Sequence, residues 1–327
     1  MTTYAVIGSN CFTGSHFVDA VLADPEHQVI GVSRSPEYPA YFLPYTQRAA
    51  SRFRFYQIDM VRRPGELLDL LDRVQPEVVI HVAALSEVAL SYERPVEYFE
   101  TNTLSVVKLC DHLRRRSYLR RYVHISSAEV FGSCTAPVTE ATLFNPSTPY
   151  AASKAAADLY LQTLIDFFGF PALLIRSTNV YGRHQQLYKI IPRTILYLKR
   201  GKTIELHGGG HAIKSFIHIR DVVQGALLAL ERGRPGTYHF SVPSPQTVAD
   251  VVRQICEWMG YEYARATRVI EERLGQDARY WLDCSKAEQE LGWKPAIPFE
   301  PGVRDVMEWL DEHQAAMQDE PMVYLHK

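Results

Sequence analysis

Over the first 180 residues, short apolar runs alternate with longer stretches in which apolar positions recur every three or four residues. The runs at 4–8, 29–32, 53–58, 78–82, 122–126 and 172–175 are four to six residues long and rich in Val, Ile, Tyr and Phe, the pattern of strands buried on both faces. Between them, residues 15–23, 65–74, 96–115 and 150–168 carry helical periodicity. Strand–helix alternation of this kind predicts an α/β fold, a doubly wound parallel sheet of the Rossmann type with right-handed crossovers. Past Tyr181-Gly182 the rhythm loosens, with Gly208-Gly209-Gly210 and several Pro-containing turns. The pattern predicts a larger domain over 1–180 and a smaller C-terminal α/β lobe over 181–327, with a cleft between them.

Composition narrows the function classes. With 46% hydrophobic and 22% charged residues among 327, and a net charge of -2, the chain has an ordinary globular balance. No basic excess or tail points to nucleic acid or an anionic membrane, and Arg114-Arg115-Arg116 with Arg120-Arg121 reads as a solvated helix end. Met1-Thr2-Thr3-Tyr4 runs directly into the first strand without a basic leader, and no apolar run approaches the roughly 18 residues that span a bilayer. The five cysteines (11, 110, 134, 256 and 284) are scattered and never spaced Cys-x-x-Cys. That is the expectation for reduced thiols in a cytoplasm, and His207, His211, His218 and His239 likewise lack the spacing of a metal site.

Two places carry chemistry. Gly8-Ser9-Asn10-Cys11-Phe12-Thr13-Gly14 lies between the first strand and first helix, where free N–H groups and the helix dipole suit a phosphate. Its glycines permit a tight turn and close approach of a pyrophosphate, and Cys11 reads as a small neutral liner, having no redox partner. Farther on, Tyr150 and Lys154 stand four apart and share a helix face. A nearby ammonium favours phenolate and lowers a tyrosine from its usual pKa of about 10, which makes the phenol a base toward a hydroxyl. Tyr-x-x-x-Lys alone is an ordinary solvated helix face. Here Ser126-Ser127-Ala128-Glu129 ends an apolar strand nearby, and an acid there is costly unless it is used.

In combination these features resemble the extended short-chain dehydrogenases/reductases that act on nucleotide sugars, and the likeness covers nearly the whole chain. The first loop resembles that family's G-x-x-G-x-x-G, with Cys11 in place of the middle glycine. Asn102, Pro149-Tyr150-Ala151-Ala152-Ser153-Lys154 and Arg176-Ser177-Thr178-Asn179-Val180-Tyr181-Gly182 follow its pattern. So do Ile191-Pro192, Ile213-Lys214-Ser215-Phe216-Ile217 with Arg220-Asp221-Val222, and Asp283-Cys284-Ser285-Lys286 with Leu291-Gly292-Trp293-Lys294-Pro295. The resemblance implies a dinucleotide held by Gly8, Asn10, Cys11, Phe12, Thr13, Gly14, Ser33, Arg34, Asp59, Met60, Ala83 and Ala84 together with Tyr150 and Lys154. It implies a nucleotide-diphosphate sugar held by Ser86, Asn179, Lys214 and Arg279. NAD-binding relatives usually place an acid at the position of Ser33; here a guanidinium follows instead, and its charge and fork suit a 2′-phosphate, so among the NAD(P) cofactors the expectation leans to NADP.

The reaction turns on Glu129. In this family a tyrosinate removes the O4 proton while the nicotinamide accepts hydride from C4, and the resulting 4-ketone acidifies C5–H. Ser127, Tyr150 and Lys154 resemble the groups for that first step. Plain 4-epimerases resemble Ser-Ser-Ala-Thr at 126–129, whereas Glu129 resembles the C5 base of the 4,6-dehydratases, which give 4-keto-6-deoxyhexoses. The thymidine-diphosphoglucose type carries Asp where this chain has Ala128, and that Asp protonates the leaving C6 hydroxyl. The guanosine-diphosphomannose type lacks it too, so its loss does not exclude dehydration, and in this chain Glu129 itself, once it holds the C5 proton, can donate to the leaving hydroxyl. A 4-epimerase or 4-keto-sugar reductase with Glu129 idle, a uronic acid decarboxylase, and a cofactor-sensing relative without activity stay open. The family's helix pairing also implies a two-fold homodimer through helices 96–115 and 150–168, which carry Leu104, Val107, Leu159 and Leu164.

Overall fold

Ala5, Val6 and Ile7 are buried at the end of β1 (Thr2–Ile7), and the chain then crosses over through α1 (Phe12–Leu22) to β2 (His27–Ser33). β3 (Phe53–Gln57), α2 (Pro64–Val74), β4 (Val78–His81), the short α3 (Val88–Glu93) and α4 (Pro95–Phe99), and α5 (Ser105–Leu113) continue the alternation. β5 (Arg121–Ile125), α6 (Pro149–Phe168) and β6 (Ala172–Ser177) complete it. The structure is a computed structural model that describes residues 1–326 apart from 49, 273, 274 and 276. All six strands stand where the apolar runs place them.

The helix expected over 96–115 is interrupted. Between α4 and α5, Glu100–Leu104 is a π-helical stretch that holds Asn102 in its middle. Asn102 Oδ1 accepts from the Leu85 N–H at 2.8 Å, and its amide donates to the Leu85 carbonyl at 2.9 Å and to Ser153 Oγ at 3.0 Å. The wider turn lets one buried side chain fasten the loop after β4 to α6, the common use of a π-bulge near a site.

Beyond residue 178 come β7 (Asn179–Tyr181), α7 (Ile190–Lys199), β8 (Ile204–His207), β9 (Ile213–Lys214) and β10 (Phe216–His218). The chain then returns to the first sheet through α8 (Ile219–Arg232) and β11 (Gly236–Phe240). The result is a seven-stranded parallel sheet in the order β11-β6-β5-β4-β1-β2-β3. β12 (Gln246–Thr247), α9 (Val248–Met259), α10 (Tyr263–Ala266), β13 (Thr267–Ile270), α11 (Ser285–Leu291) and α12 (Phe299–Glu312) follow. β10 pairs with β7, β12 with β9 and β13 with β8 in small two-stranded sheets.

Helices cover both faces of the main sheet. On one face Phe17, Val18, Val222, Ala226 and Trp293 pack against Val6 and Val29; on the other Leu70, Leu109, Leu161 and Leu164 pack against Ala5 and Val79. A third core joins Ile191, Ile195, Val252 and Trp309. The Asp221 and Trp293 motifs prove to be fasteners. Trp293 Nε1 donates to the Asp221 carbonyl at 3.0 Å, and the Asp221 carboxylate accepts from the Ala296 and Ile297 N–H groups. Strand order reverses between β1 and β4, so their carboxyl ends open a crevice, the usual ligand position in such sheets.

Candidate active site

The loop after β1 has no room for side chains at its two ends. Gly8 has φ +95°, and a Cβ there would sit 2.6 Å from the Ala83 nitrogen; one at Gly14 would sit 2.1 Å from the Gly8 oxygen. Cys11 caps α1, its Sγ accepting from the Gly14 N–H at 3.3 Å, and burial pushes the thiol up to about 11. Cys11 is therefore a neutral liner. The Asn10 N–H donates to Ser33 Oγ at 3.0 Å, while the Asn10 amide reaches the Ser35 and Pro36 carbonyls. Asn10 Oδ1 is buried without a partner among the described residues, an acceptor that a ligand can satisfy. Asp59 turns the chain after β3 by accepting from the Val61 and Arg62 N–H groups, and Arg34 is exposed. A close-approach loop, a helix N-terminus and an unsatisfied polar atom fit a dinucleotide, whose oxidised nicotinamide would supply a hydride acceptor for a carbinol.

The candidate catalytic group is assembled by α6 and the end of β5. Thr148 caps α6, accepting from the Ala151 N–H at 3.0 Å, and Pro149 opens its first turn, which sets Tyr150 and Lys154 on one buried face. Lys154 is 2% exposed; its ammonium donates to the Ile125 carbonyl at 2.8 Å and lies 3.2 Å from His124 Nε2. Burial lowers it to about 8. The expectation of a depressed Tyr150 is not met in the protein without ligands. Burial and then the Glu129 charge raise Tyr150 well above the ordinary range, and the Ser127 hydroxyl draws it partly back. Burial is the largest cause, and the Lys154 ammonium is engaged with the Ile125 carbonyl.

Glu129 sits in the 3-10 turn Ala128–Phe131, where Ser127 Oγ accepts the Glu129 N–H at 3.2 Å. Burial raises its carboxyl to about 7; the Lys214 and Lys189 charges and the Tyr280 hydroxyl oppose that rise, and the Asp277 charge adds to it. Glu129 Oε2 is buried without a partner among the described residues. Such a group is a base poised near neutrality.

One cleft of about 750 Å³ gathers most of these residues. Gly8, Asn10, Cys11, Phe12, Thr13, Ser33, Arg34, Asp59, Met60, Ala83 and Ala84 line it, as do Ser86, Ser127, Glu129, Tyr150, Lys154 and Asn179. Gly14, Lys214 and Arg279 do not. Lys214 is turned inward, its ammonium donating to the Asp277 carbonyl at 2.9 Å and lying 4.0 Å from the centre of the Tyr280 ring. Arg279 stacks at 3.6 Å on Trp281.

The lining also contains residues that sequence reasoning missed. Tyr280, Tyr188 and Lys189 face the cleft, as do Glu320, Val323 and Tyr324 from the C-terminal tail. The tail is held by a Tyr41–Glu320 hydrogen bond, an edge contact between Tyr324 and Tyr188 at 5.6 Å, and His326 against Glu97 at 2.8 Å. The tail gives no periodic signal. Tyr280 stands beside Arg279 in a segment whose alternation is too short to mark a strand.

Known proteins bear the same frame. The dTDP-glucose 4,6-dehydratase of Haemophilus influenzae is 29% identical over 94% of this chain and 98% of its own. The solved dTDP-glucose 4,6-dehydratase of Streptomyces venezuelae, with NAD bound, superposes with a TM-score of 0.88 at 29% identity, covering 98% of this chain and 100% of that one. A UDP-glucose 4-epimerase of Thermotoga maritima, 23% identical over 96% of this chain and 100% of its own, shares the fold at a TM-score of 0.87. The fold alone therefore does not separate dehydration from epimerisation. Residues 4–242 match the NAD dependent epimerase/dehydratase family, and the chain belongs to that family.

Proposed function

We propose that this chain is a nucleotide-sugar 4,6-dehydratase, converting a nucleoside-diphosphate hexose to its 4-keto-6-deoxy product. The observation that carries the reading is Glu129: a carboxyl near neutrality, with a buried unpartnered oxygen, in the same cleft as Tyr150. A 4-epimerase has no use for a base there. Tyr150 takes the O4 proton, with the Ser127 hydroxyl in the same cleft and Lys154 holding positive charge one turn along the helix. Once C4 is a ketone, Glu129 takes the acidified C5 proton, and the C6 hydroxyl departs as water. The relatives named for dTDP-glucose make that sugar the first substrate to test. In deuterium oxide, the product should carry solvent deuterium at C5; a product with only protium there speaks for an epimerase or reductase that never opens C5–H.

For the cofactor, Arg34 supports NADP over NAD: it is exposed at the cleft, and no acid stands at Ser33. The Streptomyces venezuelae enzyme holds NAD. Arg34→Ala should weaken NADP(H) by about 1–3 kcal/mol, the worth of a hydrogen bond to a charged group, and leave NAD(H) nearly unchanged. Titration showing equal affinity for both cofactors, before and after the change, removes the role. Val96, Phe99, Leu104 and Leu159 are exposed on α4 to α6, whereas Leu164 is buried in the sheet's own core. This apolar face supports a two-fold homodimer through paired helices. Sedimentation should give a dimer at micromolar concentration; a monomer there rejects it.

A further inference from the structure

The elimination needs more protons than Glu129 collects. Glu129 receives one from C5, but two are required: one on the C6 oxygen as it leaves, and one on C5 when C6 is reduced. Tyr150 meanwhile holds the O4 proton. A carboxyl at position 128 would be a second source, and here that residue is Ala128.

Ala128 packs in one apolar cluster with Tyr280, and Tyr280 lines the cleft with Glu129. The Tyr280 hydroxyl donates to Asp277 Oδ2 at 3.1 Å. Asp277 is 4% exposed, yet its carboxylate also accepts from Ser133 Oγ at 3.0 Å and Ser147 Oγ at 2.9 Å, and both serines are exposed. Exchangeable groups thus run unbroken from the surface to the wall of the cleft. Lys214 fixes the middle of this line, with its charge over the Tyr280 ring and its hydrogen bond on the Asp277 carbonyl.

We propose that Ser133 or Ser147, Asp277 and Tyr280 form a proton path that brings the second proton from solvent to Glu129. Asp277 is protonated from the solvent side through a serine hydroxyl. Its O–H bond breaks as the Tyr280 oxygen takes that proton, and the Tyr280 O–H bond breaks as its own proton passes to Glu129. No phenolate is left behind, which suits a phenol that burial pushes far above its ordinary range. Glu129 then holds a proton for each of the two acceptors in turn, and Tyr150 returns the O4 proton to solvent before the next cycle. The sum is substrate to product and one water.

The inference rests on the dehydratase reading, and the test separates the two. Replacing the C6 hydroxyl of the substrate by fluorine lowers the demand to one proton, since fluoride leaves unprotonated. Tyr280→Phe and the near-isosteric Asp277→Asn should each slow the 6-hydroxy substrate by about 10²-fold or more, as for loss of an acid–base group, with KM little changed. The same variants should turn over the 6-fluoro compound near the wild-type rate. Equal loss on both compounds, or undiminished turnover of the 6-hydroxy substrate, overturns the path. Should both variants fail to fold, the unaltered enzyme decides: its solvent isotope effect should be larger on the 6-hydroxy than on the 6-fluoro substrate, and equal effects overturn the path. A wild type that eliminates neither water from the one nor fluoride from the other instead rejects the dehydratase reading itself.

Discussion

Tyr150→Phe should leave the cofactor oxidised when substrate is added, with no rise in reduced-nicotinamide absorbance and turnover lowered by about 10²–10⁴-fold or more. The phenol lines the cleft beside Ser127 and Glu129, and α6 sets it one turn from Lys154. Phe keeps the ring and its edge contact with Tyr98 at 6.4 Å, so folding and cofactor affinity should survive. The loss therefore reports the missing oxygen. A variant that still reduces its cofactor at the wild-type rate would mean that another base serves C4.

Glu129→Gln should fail one step later. The amide keeps the size of the side chain but cannot take a proton from C5, so oxidation at C4 proceeds, reduced cofactor accumulates, and product formation falls by about 10²–10⁴-fold. Solvent deuterium should scarcely enter C5. In the wild type the base is needed as carboxylate, and burial holds its pKa up at about 7. The rate for free enzyme and substrate is therefore full above that value and declines as pH falls through it. A Gln variant that dehydrates normally makes Glu129 a bystander and moves the epimerase or reductase reading ahead.

The contrast between these two variants rests on residues that were readable without a structure, because their signals are local. Apolar runs mark β1 to β6, since a strand buried on both faces has no polar side to show. The four-residue spacing of Tyr150 and Lys154 gives a shared helix face, and Thr148-Pro149 marks where that helix starts. What escaped depends on contacts distant in sequence. β11 carries Thr237 and His239 among its apolar residues and joins β6 from some sixty residues downstream, so no local pattern assigns it to the main sheet. The π-helical break at Asn102 exists for the sake of Leu85 and Ser153.

Charge is legible as a residue type but not as a direction. Lys214 looks like a diphosphate partner in sequence, yet it turns inward to the Asp277 carbonyl and the Tyr280 ring. Lys154 looks like a partner for the phenol alone, yet its ammonium is held by the Ile125 carbonyl. Asp277 and Tyr280 are three residues apart in an irregular segment, and only the fold brings them to Glu129.

Whether the chain dehydrates a nucleotide sugar is decided by the identity of its product. The purified protein should be incubated with dTDP-glucose, GDP-mannose and other nucleoside-diphosphate hexoses, and each product read by mass and NMR. One of them should give a product lighter by one water, with a 4-ketone and a methyl group at C6. A product of unchanged mass inverted at C4, or loss of carbon dioxide from a uronic acid substrate with no dehydration of any hexose, would contradict the dehydratase reading.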